Sequence, residues 1–262
     1  MELALVSGVA FLLLLTSSVA GALVRGLLLS VVGTYEGVHV VVQLCEAATF
    51  GWGLVAFMSW FFHVPKRDLV RRLTGFGGRE GRACAASVLL HSAAAVAVLS
   101  WQPPSEEGQM TWAEMLTNLL LAPMKEELFF RGVFALVAIN RLQSVKWGAS
   151  ISSILFAVIH LANARHLGAQ LSASYLVFQV AWALLVGLFL ALELAASGSL
   201  VECVVLHMIN NLFALGVARN ATVDLTQPQV LTSMLASFTI YAVAIAKQLQ
   251  ALGHKTPRDK EL

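Results

Sequence analysis

The stretch Ala122–Val133, "APMKEELFFRGV", places Lys125, Glu126, Glu127 and Arg131 inside an otherwise apolar segment. A charge at the middle of a bilayer costs about 2.5–3.5 kcal/mol even on insertion scales, so these charges need a physical reason. On a helix, Glu127 and Arg131 lie one turn apart on one face, with the acid N-terminal to the base, the better order for an ion pair. Glu126 is turned by ~100° from Glu127. The two carboxylates therefore cannot make the same contact with Arg131, and one is left to point elsewhere. Pro123 lacks a backbone N–H and is expected to loosen or kink the helix. Lys125 has a stem long enough to snorkel or to line water, and the sequence assigns it no role.

Around this stretch, the 262-residue chain is 58% hydrophobic and only 12% charged, against about 25% charged for a soluble domain. The apolar residues fall in long blocks, which predicts an all-α polytopic membrane protein with about eight transmembrane helices around a polar intramembrane cavity. The helices are expected near 3–24, 37–63, 83–101, 111–139, 147–163, 174–195, 199–218 and 230–248, with Arg25–Val32 either extending the first or not. With no internal repeat and no low-complexity segment, residues 1–262 read as a single integral membrane domain. The uncharged run Leu3–Val24 lacks a basic n-region and is too long for an ordinary signal-peptide core. It reads as the first span, the alternative being a cleavable signal ending near "SVAGA". A net charge of +2, without a basic run interleaved with aromatics, argues against a nucleic-acid partner. Cys45, Cys84 and Cys203 lie in apolar blocks without metal-ligand spacing and read as small packed hydrophobes.

Basic residues orient the spans. The segment 65–82, "PKRDLVRRLTGFGGREGR", carries six Lys or Arg, Arg141 and Lys146 follow the fourth helix, and Lys247, Lys255, Arg258 and Lys260 follow the eighth. The opposite side is poor in such residues and includes the acidic "QPPSEEGQ", Gln102–Gln109. The positive-inside rule then places both termini, the loop 65–82 and the tail 249–262 in the cytoplasm. The membrane would be the endoplasmic reticulum in a eukaryote and the plasma membrane in a prokaryote. Trp101, Trp112 and Trp147 are expected as headgroup-level anchors. "NAT", Asn220–Thr222, is a sequon on the non-cytoplasmic side, and the tail is not a luminal retention signal.

Two further polar stations lie on other spans. "FAVIH" puts Phe156 and His160 on one face, and "HMINN" does the same for His207 and Asn211. Counted from the cytoplasmic helix ends, Glu126 and His160 each lie thirteen residues in and His207 eight, roughly 20 and 12 Å at 1.5 Å per residue. They are expected to meet in one cavity. Each station alone also has a structural reading: Glu127 and Arg131 as a salt bridge, the imidazoles and Asn210 and Asn211 as interhelical hydrogen bonds, Phe156 as packing that positions His160. A carboxylate and two imidazoles could equally serve a metal, so Glu126, His160 and His207 are the candidate zinc ligands of a reading without HExxH spacing. No GxSxG or motif cysteine suggests a covalent nucleophile.

Taken in order, Glu126-Glu127-x-x-x-Arg131, Phe156-x-x-x-His160 and His207-x-x-x-Asn211 resemble the signature motifs of the type II CAAX prenyl endopeptidase family, also called CPBP, with the resemblance covering about 122–215 and including "SGSLVECVVLHMINNLFAL", Ser197–Leu215. The resemblance implies an intramembrane endopeptidase that removes the C-terminal tripeptide of prenylated CaaX proteins, or acts on other membrane-anchored C-termini, without a required cofactor. It implies Glu126 as the catalytic glutamate, His160 as helping to activate water, His207 and Asn211 as holding the oxyanion, and Glu127, Arg131 and Phe156 as support. Two other readings stay open. One is a non-proteolytic, bacteriocin-immunity-type member that binds another membrane protein. The other is a transporter with a proton relay, which the lack of repeats disfavours. Of the remaining polar residues, His39, Glu46, His91, Glu193 and Glu202 read as structural or interfacial, with Glu46 a candidate cavity-lining group. His63, His166 and His254 read as solvated.

Overall fold

The computed structural model of the chain describes residues 2–31, 35–75, 79–99, 111–168, 172–218 and 227–253. The acidic segment Gln102–Gln109, Trp101, the sequon Asn220–Thr222, His254 and the rest of the tail lie outside the described residues. Helix α1 spans Glu2–Val31, α2 Tyr35–Phe62, α3 Lys66–Thr74 and α4 Arg79–Leu99. Helix α5 is one continuous run, 112–142, in which α-helical pieces (Trp112–Leu116, Ala122–Phe129, Leu136–Leu142) alternate with π-helical pieces (Thr117–Leu121, Phe130–Ala135). Helix α6 spans Val145–Ile159 and passes into a 3-10 turn, His160–His166; α7 (Ala173–Ser197), α8 (Leu200–Ala218) and α9 (Pro228–Gly253) follow.

The protein is an all-α polytopic membrane protein. Five stretches are long and apolar enough to cross a membrane, Leu5–Val31, Gly37–Phe62, Val145–His166, Ala173–Ser197 and Pro228–Gly253, and Gly81–Ala97 and Leu200–Leu212 are shorter apolar helices. Large apolar side chains point outward, Leu90 at 75% exposure among them, while Glu127, Arg131 and Glu193 are fully buried. That inversion suits a bilayer, where lipid takes the apolar side chains and protein must enclose the charges.

Each of the eight expected spans has a helix, and the boundaries differ for local reasons. The ambiguous Arg25–Val32 stretch continues α1 to Val31. Within the segment expected as loop, 65–82, Lys66–Thr74 forms α3 instead: Leu69 is buried and Leu73 packs against the core while Lys66, Arg67 and Arg71 are exposed, so a narrow apolar edge anchors a short cationic helix. Thr111 and Glu114 form a reciprocal capping box that starts α5. Gly198, at φ +72°, ends α7 by donating to the Leu194 carbonyl, and Ser199 Oγ accepts from the Glu202 N–H to start α8.

Helix α1 packs on α2 and α2 on α5; α5 forms a hairpin with α6, which lies along α7, and α4 and α9 close the bundle against α7 and α8. Gly148 permits the hairpin, because a Cβ there would sit 2.5 Å from the backbone nitrogen of Ile139. Gly148→Ala is expected to lower stability by about 1–3 kcal/mol through overpacking, read as a lower Tm of the protein in detergent. Gly8→Ala, whose Cβ would meet nothing within 4 Å, should leave Tm unchanged.

Candidate active site

The site is built on the kinked centre of α5. In the first π-helical piece the Ala122 N–H reaches back five residues to the Thr117 carbonyl. The next donor in that register would be Pro123, which has none. The Asn118 carbonyl, its acceptor, instead receives a hydrogen bond from Asn211 Nδ2 of α8 at 3.0 Å. The second π-helical piece is supported in the same way, Ser152 Oγ donating to the Phe130 carbonyl at 2.8 Å. Insertions into the helical ladder of this kind re-aim the side chains around them; Lys125, Glu126 and Glu127 lie between the two, and Arg131 lies within the second.

Glu127 and Arg131 form the expected ion pair: Arg131 Nη1 donates to Glu127 Oε1 at 2.9 Å, and both side chains are fully buried. The same oxygen lies 2.6 Å from His207 Nδ1. A carboxylate only accepts, so Nδ1 carries the hydrogen. Arg131 also donates to the Gly187 carbonyl at 3.4 Å and stacks 4.4 Å over the Phe156 ring, a cation–π contact. Gly187 allows that approach, since a Cβ there would lie 3.2 Å from Phe156 Cδ1.

Glu126 behaves differently. Its side chain is 40% exposed, and Oε2 lies 3.6 Å from His207 Nε2. His207 is thus flanked by the two glutamates, one per ring nitrogen. His160 joins the cluster through Phe156: its Nδ1 donates to the Phe156 carbonyl at 2.8 Å, and the Phe156 ring stands edge-on to His160 at 4.9 Å and to His207 at 5.6 Å. With Nδ1 donating, the neutral ring of His160 keeps a lone pair on Nε2. His160 ends the α-helical part of α6 and begins the 3-10 turn, so the helix axis changes at the residue whose ring must be aimed.

The structure therefore brings Glu126, Glu127, Arg131, Phe156, His160 and His207 into one cluster and ties Asn211 to it through α5. Asn210 is interhelical glue, its Oδ1 accepting from Trp182 Nε1 at 2.8 Å. Among the described residues no three or more His, Cys, Asp or Glu side chains are arranged as a metal-holding group. Asn118 was not singled out by its sequence context; its signal was a lone amide five residues before Pro123. Glu193 and Glu202, read as structural or interfacial, are both buried, with Gln248 Nε2 donating to Glu193 Oε2 at 2.6 Å. Glu46 lines a cavity of about 190 Å³ with Arg25, His39 and Gln43, and a groove of about 560 Å³ runs between α4 and α9 past His91 and Lys247.

Removing one partner of the buried pair leaves a charge uncompensated. Glu127→Gln or Arg131→Ala is expected to cost about 3–5 kcal/mol of stability, whereas Glu126→Gln should leave thermal unfolding in detergent unchanged.

Residues 108–213, which contain every residue of this cluster, match the family model described as Rce1-like, type II CAAX prenyl endopeptidase Rce1-like. No curated protein and no solved structure matches the chain. Over residues 108–213, which are less than half of its length, the chain is similar to the Rce1-like family of type II CAAX prenyl endopeptidases.

Proposed function

We propose that the protein is an intramembrane endopeptidase that removes the C-terminal tripeptide of prenylated CaaX proteins, with both termini and the entrance to its site on the cytoplasmic side. The observation that carries this reading is the division of labour between adjacent glutamates. Glu127 is committed to Arg131 and His207, while Glu126, one residue away, keeps a half-exposed carboxylate beside His207.

Hydrolysis needs a base for water, donors for the oxyanion and a proton for the leaving amine. Glu126 accepts a proton from water, and the Nε2 lone pair of His160 orients that water. The hydroxide adds to the scissile carbonyl. As the imidazolium, His207 donates through both nitrogens, Nδ1 to Glu127 and Nε2 toward the oxyanion. An Asn side-chain amide has two N–H groups; Asn211 gives one to the Asn118 carbonyl and has the other for the same oxyanion. The proton on Glu126 then passes to the departing amine as the C–N bond breaks. The set needs no covalent nucleophile and no metal. A bilayer-embedded site suits a substrate held by its prenyl chain, since each buried methylene contributes about 0.8 kcal/mol.

The test is cleavage of a farnesylated CaaX peptide by the purified protein. Glu126→Gln and His160→Ala are expected to lower the rate by roughly 10²–10⁴-fold, the range of general acid–base catalysis, and a chelator should leave the wild-type rate unchanged. A Glu126→Gln protein that cleaves at the normal rate would remove the assignment.

A further inference from the structure

Lys125 is the motif charge that the hydrolytic reading does not use. Its Nζ donates to Gln43 Oε1 at 2.6 Å and lies 3.4 Å from Glu46 Oε2, both on α2. The three groups are largely shielded, with Lys125 and Glu46 side chains 28% and 17% exposed. Glu46 is itself seated, because a Cβ at Gly21 of α1 would collide with its carboxylate. The anchor for Lys125 is thus a packed acid rather than a mobile surface one, and charged hydrogen bonds of this kind are about twice as strong as neutral ones.

Residues 122–129 are α-helical, so successive side chains step by ~100°. Lys125 and Glu127 stand on either side of Glu126 at that angle. Glu127 is held from one flank by Arg131 and by His207 of α8, and Lys125 from the other by Gln43 and Glu46 of α2. Between two π-helical pieces that relax the ladder, these clamps restrict rotation of the segment about its own axis. Glu126 is left in the sector where it is half-exposed and meets His207.

We propose that Lys125, anchored by Gln43 and Glu46, is a positioning residue that sets the direction of the Glu126 carboxylate toward the site. Its effect on catalysis rests on the reading of Glu126 as the base; its effect on direction does not.

The experiment separates the two. In a protein whose Cys45, Cys84 and Cys203 are replaced by Ala, Glu126→Cys is labelled with a small water-soluble methanethiosulfonate in the folded, detergent-solubilised state. Labelling is expected to slow several-fold when Lys125→Met or the near-isosteric Glu46→Gln is added, and to recover in Lys125→Arg. In the protein with Glu126 intact, Lys125→Met should lower kcat for the farnesylated peptide on the order of 10²-fold, as a 1 Å misplacement does, with KM unchanged and Lys125→Arg restoring the rate. Unchanged labelling in both Lys125→Met and Glu46→Gln would overturn the proposal whatever the activity. Lys125-dependent labelling in a protein that cleaves nothing would keep the proposal and remove the protease reading.

Discussion

The buried pair Glu127–Arg131 is the constraint around which the other contacts are arranged. Lipid offers neither charge a compensating partner, so the pair must be neutralised within the protein, and the one-turn spacing lets a single helix do so. Every other helix of the site then uses what the pair leaves over. Helix α8 brings His207 to the acceptor oxygen of Glu127, α7 offers the Gly187 carbonyl to Arg131, and α6 lays Phe156 under the guanidinium. One ion pair thereby ties together α5, α6, α7 and α8. The cost of burying two charges is offset by hydrogen bonds that also locate His207, and through Phe156 the ring of His160.

A second constraint is the backbone of α5. A π-helical piece leaves carbonyls without a partner in their own helix, and in a membrane such groups must be satisfied from elsewhere. Asn211 and Ser152 do this for Asn118 and Phe130. Asn211 therefore secures the kink before the motif with one of its two N–H groups, and the proposed mechanism asks the other to serve the oxyanion. Its proposed catalytic role and its structural role use the same side chain, so loss of Asn211 alone does not separate them, in contrast to Glu126.

The spans were legible because apolar blocks about a bilayer long leave little choice of structure, and the pair Glu127–Arg131 was legible because helical spacing and charge order both specify it. Counting residues in from the helix ends likewise put His207 at a depth similar to that of Glu126, and the two lie 3.6 Å apart. What escaped was of two kinds. Helix α3 is shorter than three turns and strongly cationic, so it carried no apolar block, and the packing of Leu69 and Leu73 reveals it. The contacts of Lys125 with Gln43 and Glu46, and of Asn211 with Asn118, join residues 79 to 93 apart in the chain. No local pattern records such pairings, because they depend on which helices become neighbours. Glu193 shows the same limit: its sequence position left structural and interfacial roles open, and only tertiary packing against Gln248, 55 residues away, decides for burial.

The place of α5 in the bundle explains how so charged a helix can exist in a membrane. By composition 112–142 is a poor span, and it is not among the stretches apolar enough to cross on that basis. Yet residues 130–139 are buried without interruption, the pattern of a helix surrounded by protein rather than one with an apolar stripe. Its neighbours, not lipid, are its solvent, so the charges are costed against hydrogen-bonding partners instead of hydrocarbon. That enclosure leaves few directions from which water can reach the helix. Glu126 has one of them, because the residues on both sides are pulled to other helices. The adjacency of three charges is therefore not redundancy: two are engaged by neighbouring helices, and the third keeps a half-exposed carboxylate.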